Sequence, residues 1–134
     1  MKTKSLTKVN QKHDKGVCEM NRYKLFMAGI DTNDGIKRFN GNAELYEKCL
    51  LSFLNDNNYT QMCQSIKEQN VSSAFTAAHS LKGIAGNLSM KKLYDDIVPL
   101  VEELRAGKVE NTEVLLKPVA QDYQQIISVL DQVQ

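Results

Sequence analysis

The sequence predicts an all-α fold, an antiparallel up-down four-helix bundle with short additional N-terminal helices. Three observations predict it. Apolar residues recur every three or four positions over most of the chain, as on helices that face a core. The 7 Gly and 2 Pro residues are too few for the many turns of a sandwich or barrel. With 42% hydrophobic and 25% charged residues among 134, the composition is that of one globular domain.

The N-terminus differs in charge from the rest of the chain. Residues 1–24 contain seven basic and two acidic groups, a net charge of +5, whereas the remainder sums to −4. We expect a basic, poorly structured leader at 1–20 and a helical domain at 21–134. Because no aromatic residues are interleaved with the leader lysines, we expect a solvated tail and no nucleic-acid partner.

No stretch approaches the ~18 apolar residues that a membrane span requires, and the N-terminus lacks the apolar core of a signal peptide. The sequence therefore predicts a cytoplasmic protein without a membrane span. The cysteines, Cys18, Cys49 and Cys63, are odd in number and show no Cys-x-x-Cys spacing. We expect reduced thiols rather than a disulfide framework or a zinc site, with the last two packing as small hydrophobic residues.

The N-terminal elements are short. Tyr23, Phe26, Met27 and Ile30 have helical spacing and predict a helix that lies against the body. Asp31 can cap a second short helix, which extends through Ile36 and Phe39 to a turn at Gly41-Asn42. The next apolar stripe predicts one long helix at 43–69. It is bent where four consecutive residues of low helix propensity, Asn55-Asp56-Asn57-Asn58, permit a kink or a break.

The third and fourth main segments have their own start and stop signals. Asn70 can cap a helix at 71–88, and Ser89 can cap a helix at 90–106 that is closed by Gly107.

The prolines fall inside the last two segments. Pro99 should kink the fourth helix, and Pro118 should bend or delay the start of a final helix at 111–133. Four amphipathic helices joined by short turns bury their apolar stripes most economically as an antiparallel bundle.

The third helix carries the most informative pattern. At about 100° per residue, one side collects six small or aliphatic residues within about 60° of Leu81: Ala74, Ala77, Ala78, Leu81, Ala85 and Leu88. His79 lies about 160° from Leu81, on the side that the bundle does not cover. Its imidazole should therefore face solvent.

Two glycines share the surface of His79. Gly83 lies about 40° and Gly86 about 20° from it around the helix. A glycine inside a helix costs roughly 0.5–1 kcal/mol relative to alanine, so the pair indicates a need for clearance beside the imidazole. Lys82 follows one turn after His79, where its ammonium could reach a charge on the ring.

An exposed imidazole with a cleared surface and a nearby cation fits a phosphoryl group. That group carries about −2 charge and three acceptor oxygens. A neutral imidazole is nucleophilic, and its phosphoramidate can pass the group onward to a carboxylate, which a phosphoserine cannot do. A His-x-x-Lys pair alone is common on helix surfaces, and the two glycines on the same side favour the functional interpretation.

The stretch also resembles the histidine-containing phosphotransfer (HPt) domain of phosphorelays. The core motif of that family is approximately His-x-Leu-Lys-Gly-x-Ala-x-x-Leu-Gly. The chain matches it at six of seven positions, namely His79, Leu81, Lys82, Gly83, Ala85 and Leu88. The similarity extends over about residues 29–131. Ser89 departs from the pattern, since it stands where the family usually has glycine, which leaves the geometry of the next turn open.

The resemblance implies a phosphorelay intermediate. It implies that His79 accepts a phosphoryl group from a receiver-domain aspartyl phosphate and passes it to another receiver aspartate, while Lys82 neutralises the phosphoryl oxygens. Gly83 and Gly86 would be the clearance for a docking receiver. The expected partners are response-regulator receiver domains and a sensor (hybrid) histidine kinase. We expect a monomer with no cofactor of its own, the Mg²⁺ being held by the partner receiver.

Further residues are predicted to bind the partner. Phe75, Thr76 and Met90 lie near the direction of His79, where exposed Phe75 and Met90 would form an apolar rim. The alternative for Phe75 is that it packs against the neighbouring long helix. Arg105, on the fourth helix, could supply a second positive charge.

Two other functions stay open from the sequence. The first is a helical bundle that binds a receiver without transfer, because docking and transfer would use the same surface. The second is a fragment of a hybrid sensor histidine kinase. Kinase helices usually carry an acidic residue after the histidine, where this chain has Ser80, and no Gly-rich nucleotide-binding segment is present. We therefore expect no autonomous ATP-dependent kinase activity.

Overall fold

The computed structural model describes residues 22–133, and the regular structure in that range is helical apart from one isolated β-bridge. The all-α prediction is confirmed. The predicted leader at 1–20 lies outside the described residues. In chain order the helices are α1 (22–27), α2 (Thr32–Arg38), α3 (Ala43–Ser52), a 3₁₀ turn (Phe53–Asn55), α4 (Asn58–Lys67), α5 (Val71–Asn87), α6 (Lys91–Arg105) and α7 (Thr112–Val133).

α1 lies against the body, but with a different face from the predicted one. Leu25 and, just after the helix, Ala28 and Ile30 are buried, whereas Tyr23, Phe26 and Met27 point outward and are exposed, so only Ile30 of the four predicted residues faces the body. The spacing predicted the helix correctly and its orientation wrongly. Spacing alone could not distinguish the predicted stripe of four apolar residues from the shorter one beside it.

The predicted single helix at 43–69 is wrong, because the chain breaks into α3 and α4. After the 3₁₀ turn the backbone becomes extended at Asp56, with ψ 139°. The Asp56 carboxylate accepts hydrogen bonds from the backbone and side-chain nitrogens of Asn58, at 3.0 and 2.9 Å. An Asp side chain that bonds the backbone two residues ahead competes with the helix, which explains the break.

The start of α5 is confirmed, since Asn70 Oδ1 accepts a hydrogen bond from the Ser73 backbone at 3.2 Å. The predicted cap at Ser89 is wrong. α6 begins at Lys91 with Met90 in the cap position, and Ser89 adopts a left-handed conformation with φ 58°. That conformation costs a non-glycine residue roughly 1–2 kcal/mol. It explains why glycine suits this position.

A hydrogen bond offsets part of that cost. Ser89 Oγ donates to Asp34 Oδ2 at 2.7 Å, which ties the α5–α6 turn to α2. Arg38 and Lys91 approach the same carboxylate at 2.9 and 3.2 Å. Together, led by the Ser89 hydroxyl, these donors hold the pKa of Asp34 well below its usual range.

The two prolines lie inside continuous helices. α6 continues through Pro99 to Arg105, and Gly107, with φ 75°, follows its end. α7 begins at Thr112, ahead of Pro118, so this proline does not delay the helix.

The helices pack side by side around one apolar core. α4 packs on α5, α5 on α6 and α6 on α7. Tyr59 of α4 stacks on Tyr123 of α7 with ring centroids 3.9 Å apart. The largest fully buried residues include Tyr46, Phe53, Met62, Leu81, Leu93, Ile97, Leu100, Ile126 and Leu130. Each such side chain contributes about 1.5–3 kcal/mol on burial.

Two smaller expectations concern thiols and membranes. Cys49 and Cys63 are free and half-buried, and burial raises the pKa of the Cys63 thiol. Cys18 lies outside the described residues. Between residues 22 and 133, no helix has the length and apolar character needed to cross a bilayer.

Candidate functional site

The outer side of α5 carries His79. Leu81 is fully buried in the core, as are Ala74, Ala78 and Ala85, whereas His79 is exposed. The small residues let α5 approach its neighbours closely and fix the rotation of the helix. The imidazole is thereby held on the solvent side of a rigid element.

An aromatic ring and a guanidinium lie on one side of His79. The Phe75 ring is 5.5 Å from the imidazole, centroid to centroid, and tilted by 39°. The Arg105 guanidinium carbon lies 5.0 Å from the centroid of Phe75, so α6 places this cation beside the same surface. Arg105 Nε is also 3.3 Å from the Glu102 carboxylate. Phe75 is half-buried against the core and borders the imidazole, so it is less exposed than the predicted apolar rim requires.

The second cation is held on the other side of the site. Lys82 Nζ lies 5.9 Å from the centroid of the Tyr94 ring, which is 36% exposed. None of the ion pairs among residues 22–133 includes Lys82. An ammonium that rests on a ring stays available to a new anion.

The two glycines turn out to have different surroundings. A methyl group added at Gly83 would meet no atom within 4 Å, so open space lies above this position. One added at Gly86 would lie 3.3 Å from Tyr94 Cε2. Gly83 is therefore the clearance beside the imidazole, and Gly86 makes room for the Tyr94 ring.

Tyr94 was missed by the sequence analysis. It lies outside the apolar stripe of α6, which contains Leu93, Ile97, Leu100 and Leu104. An aromatic residue off the stripe was the signal that could have revealed it.

Met90 is a correction. It was predicted in the exposed rim, but it is fully buried, and its backbone forms the isolated bridge with Ile30. Its N–H donates to the Ala85 carbonyl at 2.8 Å. The prediction extended the rotation of α5 past Asn87, whereas the left-handed Ser89 turns the chain inward. Thr76, by contrast, is exposed, and its hydroxyl donates to the Ser72 carbonyl at 3.1 Å.

A second charged group, which the sequence analysis did not predict, joins α6 to α7. Lys92 Nζ lies 3.1 Å from Asp122 Oδ1 and 3.3 Å from Asp96 Oδ2. The Asp122 side chain is 1% exposed, and its Oδ2 has no hydrogen-bond partner among the described residues. Burial, helped by the adjacent Asp96 carboxyl, raises the pKa of Asp122 to about 6.

Comparisons of the chain with protein-family models, with curated proteins and with solved structures give no match. The resemblance of the His79 motif to HPt domains therefore stays a prediction. Within residues 22–133, no three His, Cys, Asp or Glu side chains are grouped so that they could hold a metal ion.

Proposed function

We propose that the chain is a phosphorelay intermediate. His79 accepts a phosphoryl group from the aspartyl phosphate of a receiver domain and later passes it to the aspartate of another receiver. The observation that supports this most is the exposed imidazole beside open space at Gly83. The cations of Lys82 and Arg105 border the same surface.

The fold that we propose for this function is an antiparallel up-down four-helix bundle within residues 21–134. α3, the 3₁₀ turn and α4 take the place of its first helix, and α5, α6 and α7 follow. The contacts of α4 with α5, α5 with α6 and α6 with α7 support this arrangement. The stack of Tyr59 on Tyr123 joins the first member to the last.

The transfer itself exchanges one bond for another. The lone pair of His79 Nε2 attacks phosphorus, the P–N bond forms, and the P–O bond to the donor aspartate breaks. The aspartate leaves as a carboxylate with the bonding electron pair, and Nδ1 keeps its proton. Attack by a second receiver's carboxylate on the phosphoramidate reverses these changes. Mg²⁺ bound in the receiver supplies charge neutralisation from the partner's side.

The two cations of this chain stabilise charge at the phosphoryl oxygens. Hydrogen bonds between an ammonium or guanidinium and a phosphoryl oxygen are about twice as strong as neutral ones. Lys82 can turn from the Tyr94 ring to the phosphoryl group without breaking an ion pair. Arg105 exchanges an exposed pair with Glu102, which is worth only about 0–1 kcal/mol.

The partner surface follows from the same geometry. Gly83 leaves the approach to the imidazole open, and Phe75 and Thr76 border it one turn earlier. Met90 is excluded from this surface because it is buried. Gly86 affects this surface through Tyr94, because the Tyr94 ring occupies the space that a side chain at position 86 would fill.

The experiment that tests the proposal compares the two histidines of the chain, His79 and His13. Receivers charged with labelled acetyl phosphate are incubated with wild type, His79→Gln and His13→Gln. We expect acid-labile label on wild type and His13→Gln, and none on His79→Gln. Thermal unfolding of both variants should stay within about 0.5 kcal/mol of wild type, the usual range for surface changes.

Other results would redirect the proposal. Label on His79→Gln would place the phosphoacceptor elsewhere. Receiver binding by wild type without any label would favour a binding module over a phosphocarrier. Label from ATP alone, without a receiver, would favour a kinase fragment.

A further inference from the structure

The outer face of α1 is apolar and uncovered. Tyr23, Phe26 and Met27 are 67%, 70% and 60% exposed, and at about 100° per residue they fall within about 60° of one direction. The inner face, Leu25 and Ala28, is buried against the body. α1 is therefore held on one side and presents two aromatic rings and a thioether on the other.

Two cations flank this face. Arg22 and Lys24 lie about 100° to either side of Tyr23 around the helix. Lys24 Nζ is held by Gln132 of α7, whose Oε1 accepts a hydrogen bond at 3.2 Å. Helices that lie in a lipid interface combine an apolar face with flanking cations, whose stems cover apolar surface while their charges reach the phosphates.

The net charge of the N-terminal sequence indicates which kind of partner fits this face. The +5 charge of residues 1–24 is concentrated at this end of the chain, while the remainder carries −4. Two copies meeting through α1 would bring like-charged segments together, which disfavours self-association. Clustered lysines next to aromatic and aliphatic side chains complement a surface that is both anionic and apolar.

We propose that the outer face of α1, together with the basic residues of the segment that precedes it in the sequence, docks on a bilayer that contains anionic lipid. Tyr23, Phe26 and Met27 enter the boundary between headgroups and acyl chains. Arg22 contacts lipid phosphates, and Lys24 exchanges its exposed hydrogen bond to Gln132 for one to a phosphate. This surface is independent of the proposed phosphotransfer. Ile30, which follows α1, forms the β-bridge with Met90, and Met90 lies beyond the end of α5. His79 lies near the middle of α5, away from that end.

The chain contains no Trp, so one can be introduced as a single fluorescent probe. Full-length Tyr23→Trp is titrated with phosphatidylcholine vesicles, with and without phosphatidylglycerol. We expect a blue shift only with phosphatidylglycerol, reversed by added salt. Val114→Trp is the matched control, because Val114 is 68% exposed but lies on α7 outside this face, and its emission should not shift.

Vesicle sedimentation then measures the contribution of each part. Phe26→Ser/Met27→Ser should weaken binding to phosphatidylglycerol vesicles by roughly tenfold or more, because each apolar side chain gains on burial. Val114→Ser should bind like wild type. Neutralising three leader lysines with Lys8→Gln/Lys12→Gln/Lys15→Gln should weaken binding and flatten its dependence on salt.

Several outcomes would overturn the proposal. They are an unshifted Tyr23→Trp spectrum, equal shifts with both vesicle types, and full binding by Phe26→Ser/Met27→Ser. A dimer in sedimentation velocity that this double variant dissociates would assign the face to a second copy instead. Tighter binding of wild type to a single-stranded oligonucleotide, with vesicles unable to compete, would assign it to nucleic acid.

Discussion

The two sides of α6 use charge in opposite ways. Tyr94 and Arg105 share one side, which faces the outer surface of α5. Lys92 and Asp96 lie about 160° around the helix from Tyr94, toward α7. We call these the open side and the closed side of α6.

On the open side, a cation rests on an aromatic ring. Lys82 lies over Tyr94, and no ion pair among the described residues includes it. On the closed side, Lys92 is shared between the carboxylates of Asp96 and Asp122. A cation that lies over an aromatic ring can move to an incoming anion at small energetic cost. A cation held between two carboxylates stabilises the fold instead. Ion pairing therefore distinguishes the two lysines more clearly than their exposure does.

The largest effect is expected when a lysine is replaced by methionine on each side, Lys92 on the closed side and Lys82 on the open side. Lys92→Met leaves the buried Asp122 without its cation and should cost about 1–3 kcal/mol of unfolding free energy. Lys82→Met should change stability by less than about 0.5 kcal/mol. For phosphotransfer from a charged receiver we expect the reverse: roughly tenfold slowing for Lys82→Met, equivalent to about 1.4 kcal/mol, and little change for Lys92→Met.

Urea unfolding and the time course of labelling measure the two quantities on the same preparations. Equal losses of stability would mean that the carboxylates do not hold Lys92. Unaltered transfer by Lys82→Met would remove this residue from the mechanism.

The next largest effect is a change in how stability depends on pH, and it arises at Asp122 on the closed side. The pKa of folded Asp122 is about 6, above its ordinary 3.8, because burial penalises the carboxylate. Folded Asp122 therefore holds its proton where the unfolded chain has released it. Its stabilising contribution is complete below about pH 4 and is lost as the pH rises to about 6.

Asp122→Asn, which keeps the shape of the protonated acid, should remove that dependence. We expect the variant to be more stable than wild type by up to about 3 kcal/mol at pH 7.5, since the pKa of folded Asp122 lies about two units above 3.8 and each pKa unit corresponds to about 1.4 kcal/mol. At pH 4 the two should be equal. Asp95→Asn, at an exposed position on α6, is the control and should leave the pH profile unchanged. A constant difference between Asp122→Asn and wild type from pH 4 to 8 would contradict the raised pKa.

Helical periodicity was sufficient for the outer surface of α5 but not for the closed side of α6. The rotation of α5 predicted that His79 is exposed and Leu81 buried, because both lie within one uninterrupted helix. Met90 was misplaced because one left-handed residue, Ser89, intervenes. Periodicity describes the rotation within one helix, and it carries no information across a left-handed turn such as the one at Ser89.

The closed side was missed for a different reason. Asp122 interrupts the apolar stripe of α7. A charged residue at such a position indicates that the helix is exposed there, unless its ion-pair partner is known. Lys92 and Asp96 are 30 and 26 positions earlier in the sequence, and nothing local links them to Asp122. The low helix propensity of residues 55–58 allowed a break, but one long helix was predicted, because the hydrogen bond from the Asn58 backbone to the Asp56 carboxylate that stabilises the break could not be foreseen.

The smallest effect separates the two glycines on the open side. Gly83→Ala should stabilise the fold by about 0.5–1 kcal/mol, because alanine favours the helix and the added methyl group meets no neighbour within 4 Å. Gly86→Ala should gain less, since its methyl group would lie 3.3 Å from Tyr94 Cε2. Receiver titration should show weaker binding for Gly83→Ala despite its greater stability. If both variants gain equally and bind equally, neither glycine serves an approaching partner, and the space beside His79 is only surface.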